Sequence, residues 1–525
     1  MTLTTTPPAI DTMGHRSLAD LLEERAAADP SRNLVEFEAA DGTVQEITYA
    51  DMLARVADVA GGLAAVGVSR GDRVVLHLRN SPEFLVAWFA LGYLGAVFVP
   101  SNVANAPAEV AHVVRHTEAV LAITEPHLLE GLEKGIALAG RDTRVVVARG
   151  PAGEHLGYDA LVEVGRANPA PRAPVRGEDL AELIFTSGTT SKPKAVMLTH
   201  ANLLRAGLDA VHCLWLEPGE RCLTALPLFH VNAQAMSALA ALTVGGTLIL
   251  LEEFRASRFW SQIQAHGATQ TAIVAMQLRT LIAQPVAPGE RDHWLRRVFF
   301  AINVSDGEKE AFEERFDVRI INGYGLSEAM TLTAVSPIVG PRRWPSVGLP
   351  SPGRRVLLLD EAGEPVAPGE VGEVVVEGTP GRTLMLGYYR DEEATARALR
   401  GGRLHTGDNA YADADGYLYF FDRKKDMIKR AGENVSALEV EAAIVEHPGV
   451  AEASVVGIVD PIRDEAVAAV VVRTGPGSVD AQGVMDHCAE RLSRFKVPTV
   501  VVFRDELPKT SIGKVRKDVL RAELV

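Results

Sequence analysis

Apolar positions along the chain switch between a helical and a strand-like rhythm. Leu18 to Ala28 carries apolar residues at helical spacing and stops before Asp29 and Pro30, where a helix cannot continue. Arg73 to Leu78 reads as a strand, Pro82 to Leu91 as a helix, and Ala96 to Pro100 as a second strand. This βαβ rhythm predicts a mostly parallel sheet with helices on its faces. Short β-rich runs recur at Ala119 to Thr124, Thr143 to Ala148, Thr247 to Leu251 and Val298 to Ile302. The apolar run Phe84 to Val99 is shorter than a membrane span and is interrupted by Gly92 and Gly95. It reads as a buried helix entering a buried strand, with no transmembrane segment.

The pattern changes twice more. Pro169 to Pro174 is proline-rich and reads as a surface connection. From Arg354 to Gly378, short strands alternate with Gly/Pro turns, which predicts a small antiparallel, barrel-like unit. After Lys425 the chain returns to α/β patterning. The expected fold class is therefore α/β: a large N-terminal domain (1–424) of βαβ-type sheets with the small β unit, plus a small α+β C-terminal domain (425–525).

Size and charge narrow the field. At 525 residues the chain exceeds one ordinary domain, and 47% apolar with 23% charged residues is a normal globular balance. A net charge of -15 argues against nucleic acid as a partner, although a local basic cluster can still hold an anion. Cys213, Cys222 and Cys488 show no metal-ligand spacing, so a reducing cytoplasm is expected. Met1 to Pro8 lacks the basic-then-apolar order of an export signal. The oligomeric state stays open, with a homodimer as one possibility.

Four segments carry chemistry. Leu183 to His200 runs from an apolar strand through a hydroxyl- and glycine-rich loop with Lys192 and Lys194. Small residues admit a polyphosphate, hydroxyls and N–H groups donate to it, and lysine supplies charge. The segment does not fit the Walker pattern, and a solvated surface loop has a similar composition. Ile320 to Glu328 ends a β-rich run in Gly323, Tyr324 and Gly325, then Ser327 and Glu328. The ring can stack on a base and the carboxylate can hold a hard cation, though such turns are often structural. Leu404 to Asp408 sets a carboxylate at a tight turn, suited to ribose hydroxyls or to simple capping. Leu507 to Lys517 places Lys514 after a glycine in a basic stretch, which alone would read as a solvated tail.

In this order and spacing, the four segments resemble the adenylate-forming superfamily of acyl-CoA synthetases, luciferases and adenylation domains, over nearly the whole chain. Ser191, the run Arg342 to Ser346, and Gly457 to Ala466 resemble the carnitine/crotonobetaine–CoA ligase type. The resemblance implies ATP and magnesium as requirements and acyl transfer from an acyl adenylate to coenzyme A. It implies a phosphate loop of Thr186, Ser187, Gly188, Thr189, Thr190 and Lys194, and a magnesium site at Thr186 and Glu328. It sets Asn322, Gly323, Tyr324 and Gly325 at adenine, Ser327 at the α-phosphate, and Asp408 with Arg423 at the ribose. Lys514 would bridge the acyl carboxylate and the α-phosphate, with Glu328 and Lys194 as further catalytic groups. The C-terminal domain would be mobile about Lys425, with Arg430, Gly432 and Glu433 lining a coenzyme A tunnel. The acyl pocket would draw on His230, Val231, Ala301, Ile302, Asn303, Gly323, Ala329 and Met330.

Departures bear on the acid. Ser191 and Ala195 stand where many members carry glycine, and Phe300 to Ser305 replaces a Gly/Ala-rich turn. No acidic or aromatic cage for a quaternary ammonium is visible, so a larger apolar or aromatic acid is expected as readily as carnitine. Two other readings share these motifs. One is an adenylating enzyme with a different acceptor, such as a carrier protein, or a different oxyacid, such as nitrite. The other is a non-catalytic binding protein, disfavoured because Glu328, Asp408, Arg423 and Lys514 are all present.

Overall fold

The computed structural model describes residues 13–186, 193–301, 304, 306–360, 362–423, 427–508, 515 and 517–524. Two large sheets dominate. The first has eight strands, among them the parallel set Arg73–His77, Val97–Pro100, Leu121–Thr124 and Arg144–Val147. Leu180–Thr186 runs parallel to Val97–Pro100, and Lys194–Thr199 returns antiparallel beside it. The second has nine strands, with Arg221–Thr224, Thr247–Leu251, Gln270–Val274, Arg297–Ala301 and Ile320–Leu326 parallel in its middle. Thr331–Val335 then turns back antiparallel.

The first βαβ unit shows how the sequence makes these elements. Ser81 accepts from the Phe84 N–H, Pro82 occupies the first turn, and Gly95 ends the helix at φ 70. A side chain at Gly95 would be strained, and its Cβ would also meet Val175 Cγ2 at 2.9 Å. The helix Pro82–Leu94 is longer than the expected Pro82 to Leu91. Gly92 does not break it, because it packs against His200, whose Cε1 would lie 3.4 Å from an added Cβ. Trp88 is 1% exposed and stacks between Phe89 and Phe98. Removing such a ring costs about 3–5 kcal/mol.

The antiparallel unit is built from Arg355–Leu359, Gly372–Glu377, Arg403–Ala412 and Leu418–Arg423, with the two-residue strand Leu399–Arg400 at its edge. A fourth sheet, of Met427–Arg430, Glu433–Ser436, Val450–Asp460, Asp464–Arg473 and Val500–Arg504, carries the helices Ala437–Val445 and Ala481–Ala489. Its apolar clusters draw only on residues of this C-terminal unit. Among the described residues, no helix is long and apolar enough to cross a membrane.

Candidate active site

One cavity of about 1530 Å³ lies where the two large sheets, the antiparallel unit and the C-terminal sheet meet. The strand Leu180–Thr186 delivers Thr186 to its wall, and Lys194 returns opposite Thr186 in the antiparallel register. The second sheet delivers Ser327 and Glu328 in a 3₁₀ turn after Ile320–Leu326. That turn depends on Gly325, where a Cβ would sit 1.8 Å from the Thr331 carbonyl oxygen. The Thr186 hydroxyl lies 3.5 Å from Glu328 Oε1, at the limit of a hydrogen bond.

A third element completes this corner. The short edge strand Gly387–Tyr388 pairs with Lys194–Thr199. The Tyr388 hydroxyl donates to Glu328 Oε1 at 2.9 Å, and Lys194 Nζ stands 4.7 Å from the centre of the Tyr388 ring. Burial, and then the Glu328 carboxylate, push the Tyr388 phenol well above its usual range, so it stays a proton donor.

The antiparallel unit supplies the next corner. Asp408 is 2% exposed and stands opposite Arg423 in the strand register. The Tyr324 hydroxyl donates to Asp408 Oδ2 at 2.6 Å, and its ring lies 6.1 Å from Phe420. Tyr324 and Asp408, which lie far apart in sequence, are thus brought together. Asn322 is 2% exposed, and its amide donates to the Ser346 carbonyl at 3.0 Å.

The C-terminal sheet closes the cavity through polar contacts. His230 Nε2 and Glu433 Oε1 are 2.9 Å apart, and a Cβ on Gly432 would lie 3.2 Å from Val274 Cγ2. Burial alone would lower the His230 pKa, but the Glu433 carboxylate outweighs it and raises it. Burial would raise the Glu433 carboxyl, and His230 holds it below its usual range. Lys496 Nζ bridges Glu109 Oε1 at 2.6 Å and Glu439 Oε1 at 3.0 Å, all three side chains being under a tenth exposed. Ser493 also donates to Glu109, and Arg279 pairs with Asp464.

The residues of the expected acyl wall fall partly on the cavity and partly in the core. His230, Val231 and Ala301 line the cavity, but Gly323, Ala329 and Met330 do not. Ala329 and Met330 are fully buried in the main apolar core, because Met330 and Thr331 take φ values of 50 and 75 and turn the chain inward. Gly323 packs under Phe299. Arg430 also differs from expectation: its guanidinium donates to the Phe495 and Val497 carbonyls within the C-terminal unit, while Gly432 and Glu433 line the cavity. Ser187, Gly188, Thr189, Thr190, Ile302, Asn303, Lys425 and Lys514 lie outside the described residues. Sequence reasoning missed Tyr388, Glu109 and Lys496. The first sits in a two-residue strand, and the other two meet only through tertiary packing.

Residues 22–389 match the AMP-binding enzyme family, and residues 439–514 match the AMP-binding enzyme C-terminal domain. The chain belongs to the AMP-binding enzyme family. It is 36% identical to a crotonobetaine/carnitine–CoA ligase of Salmonella paratyphi A, over 98% of this chain and all of that one. Among solved structures it is similar to an o-succinylbenzoate CoA synthetase of Bacillus subtilis, with a TM-score of 0.84 and 26% identity over 96% of this chain and 98% of that one. An amide bond synthetase of Marinactinospora thermotolerans gives 0.85 and 27%, covering 97% and 99%. A benzoate CoA ligase of Burkholderia xenovorans gives 0.72 and 25%, covering 96% and 100%. The activity of this AMP-binding enzyme is ATP-dependent acyl-CoA ligation through an acyl adenylate, an AMP-forming acid–thiol ligation.

Proposed function

We propose that this enzyme activates an apolar or aromatic carboxylic acid, and that the corners of the cavity divide the work. A carboxylate oxygen of the acid attacks the α-phosphorus of ATP, the bond to the bridging oxygen breaks, and pyrophosphate leaves. The coenzyme A thiolate then attacks the acyl carbon and AMP leaves. Lys194 with the loop from Thr186 holds the triphosphate, Tyr324 faces adenine, and Asp408 with Arg423 holds the ribose. In the adenylation step Lys514 would stand between the acyl carboxylate and the α-phosphate, where its charge would offset the repulsion of two anions.

Thr186 and Glu328 would hold magnesium. They offer two hard oxygens, and among the described residues no cluster of three or more His, Cys, Asp or Glu could cage a metal alone. That set suits an ion that keeps waters and phosphate oxygens in its shell and offsets the triphosphate charge. Residues 425–525 form the moving unit, hinged at Lys425. The contact between Glu433 and His230 fits the thiol-transfer pose, with Gly432 and Glu433 at the tunnel. Three buried, unpaired cysteines fit a cytoplasmic enzyme.

The acid class rests on one observation. The carboxylate at the acyl mouth, Glu433, is paired with His230 and belongs to the C-terminal unit, so it offers no fixed anion to a betaine. Phe229, Val231, Val274 and Ala301 supply an apolar wall nearby. Pyrophosphate exchange across benzoate, hexanoate, L-carnitine and crotonobetaine tests this. Exchange with benzoate or hexanoate is expected, and exchange confined to the two betaines overturns the acid class.

A further inference from the structure

We propose that Tyr388 is a positioning residue for the phosphate end of the site, holding the Glu328 carboxylate and the Lys194 ammonium in one arrangement. This rests on the reading of Thr186 and Glu328 as the magnesium donors. The strand carrying Tyr388 is tied to both phosphate-binding elements at once. The Met385 N–H donates to the Glu328 carbonyl at 2.8 Å. Leu386 and Tyr389 donate to the Met197 and Ala195 carbonyls on the strand that leaves the phosphate loop, at 2.9 and 2.8 Å. Tyr388 sits between these ties, and its own N–H is held as well, donating to Thr395 Oγ1 at 2.8 Å.

From that fixed backbone the side chain reaches two groups. Its hydroxyl donates to Glu328 Oε1, so one carboxylate oxygen is oriented by the protein while the carboxylate keeps lone pairs for a cation. Its ring face meets Lys194, which draws the ammonium toward the same corner. Tyr388 is only 9% exposed, so water competes weakly for either contact. A purely structural tyrosine would need neither a carboxylate nor an ammonium partner. Here both partners are groups that handle the triphosphate, and they come from different sheets.

Calorimetric titration of ATP into the full-length enzyme, with magnesium and again with EDTA, tests the proposal. Tyr388→Phe keeps the ring and removes the hydroxyl. It is expected to weaken binding in magnesium by about tenfold, and to leave binding in EDTA within about twofold of wild type. Tyr388→Leu removes the ring as well, and is expected to weaken binding in EDTA by about threefold or more. In a Glu328→Ala background, Tyr388→Phe is expected to add no further loss. An unchanged magnesium effect in Tyr388→Phe, an equal loss in EDTA, or a full additional loss in the Glu328→Ala background overturns the proposal. If wild-type binding does not respond to magnesium, the metal reading itself fails, which is a distinct result.

Discussion

Lys496 and Glu109 link the C-terminal sheet to the N-terminal body, and the link can be cut without harming either side. Glu109→Gln is the appropriate change. The isosteric amide keeps an acceptor for the Ala106 N–H, which Glu109 Oε2 accepts at 2.8 Å to cap the helix Pro107–Thr117. It removes the negative charge that Lys496 meets at 2.6 Å across the interface, while the partner Glu439 travels with Lys496. Only the Glu109 contact, with the Ser493 hydrogen bond to it, therefore crosses between the two units. A hydrogen bond to a charged group contributes about 1.5–3 kcal/mol net, which corresponds to roughly 10- to 150-fold in the population of the pose. The assay splits the two half-reactions. Pyrophosphate exchange reports adenylation, and rapid mixing of preformed acyl adenylate with coenzyme A reports thiol transfer. Glu109→Gln is expected to slow thiol transfer by at least about tenfold and to leave exchange within about twofold. Equal effects on both, or none on transfer, refute the reasoning.

Three further outcomes are expected. Lys514→Ala should lower pyrophosphate exchange by about 10²–10³ while transfer from preformed adenylate stays near wild type, measured in the same two assays. The His230–Glu433 pair gives a pH signature. The raised His230 pKa means its contribution to the closed pose is full below pH 6.5 and lost as pH rises through the raised value, while the lowered Glu433 pKa means its contribution is full above pH 4.5. The advantage of wild type over His230→Gln in thiol transfer should therefore shrink as pH rises above that window, read from single-turnover rates. Finally, Glu182 is fully buried, Gln234 alone among the described residues donates to its carboxylate, and burial pushes its pKa up to about 8. A raised carboxyl pKa makes the native state lose stability as pH rises from 4.5 toward 8, so Glu182→Gln should gain more in Tm over wild type at pH 8 than at pH 5.

Much of the fold was legible where periodicity and local chemistry agree. The helix Leu18–Ala28 and the strand Thr247–Leu251 match their predicted limits, because caps and apolar runs are local signals. The limit near Leu91 was misplaced because a glycine in a helix reads as a break unless its packing partner, here His200, is known. At the site, Thr186, Lys194, Glu328, Tyr324 and Asp408 stood out because each sits in a motif. Tyr388 did not, since its meaning comes from a carboxylate 60 positions away. Ala329 and Met330 lie in the core rather than on the cavity wall, and spacing alone cannot reveal that two consecutive left-handed residues turn a segment inward.

The way the two units meet suits the proposed alternation, in which one cavity serves two reactions. Each apolar cluster of the structure stays within one side: those of the C-terminal sheet contain only its own residues, and those of the large sheets contain none of them. The described side-chain contacts between them are mainly polar: His230 with Glu433, Arg279 with Asp464, and Lys496 and Ser493 with Glu109, beside the Lys429 ammonium over the Phe420 ring and the close approach of Gly432 to Val274. Separating an apolar interface would expose its whole area to water at about 25 cal/mol per Å². Separating ion pairs exchanges them for hydration, which returns most of the loss. A joint of this composition is specific in register, because each pair needs one relative placement of the two units, yet inexpensive to open. That is what alternation between an Lys514-dependent and a Glu433-covered arrangement requires. It also predicts where the balance is most easily tipped: raising ionic strength should weaken the partly exposed His230–Glu433 contact more than the nearly buried Lys496–Glu109 contact. The salt dependence of thiol transfer should accordingly be largely abolished by His230→Gln and retained in Glu109→Gln; the reverse pattern would assign control of the joint to Glu109 instead.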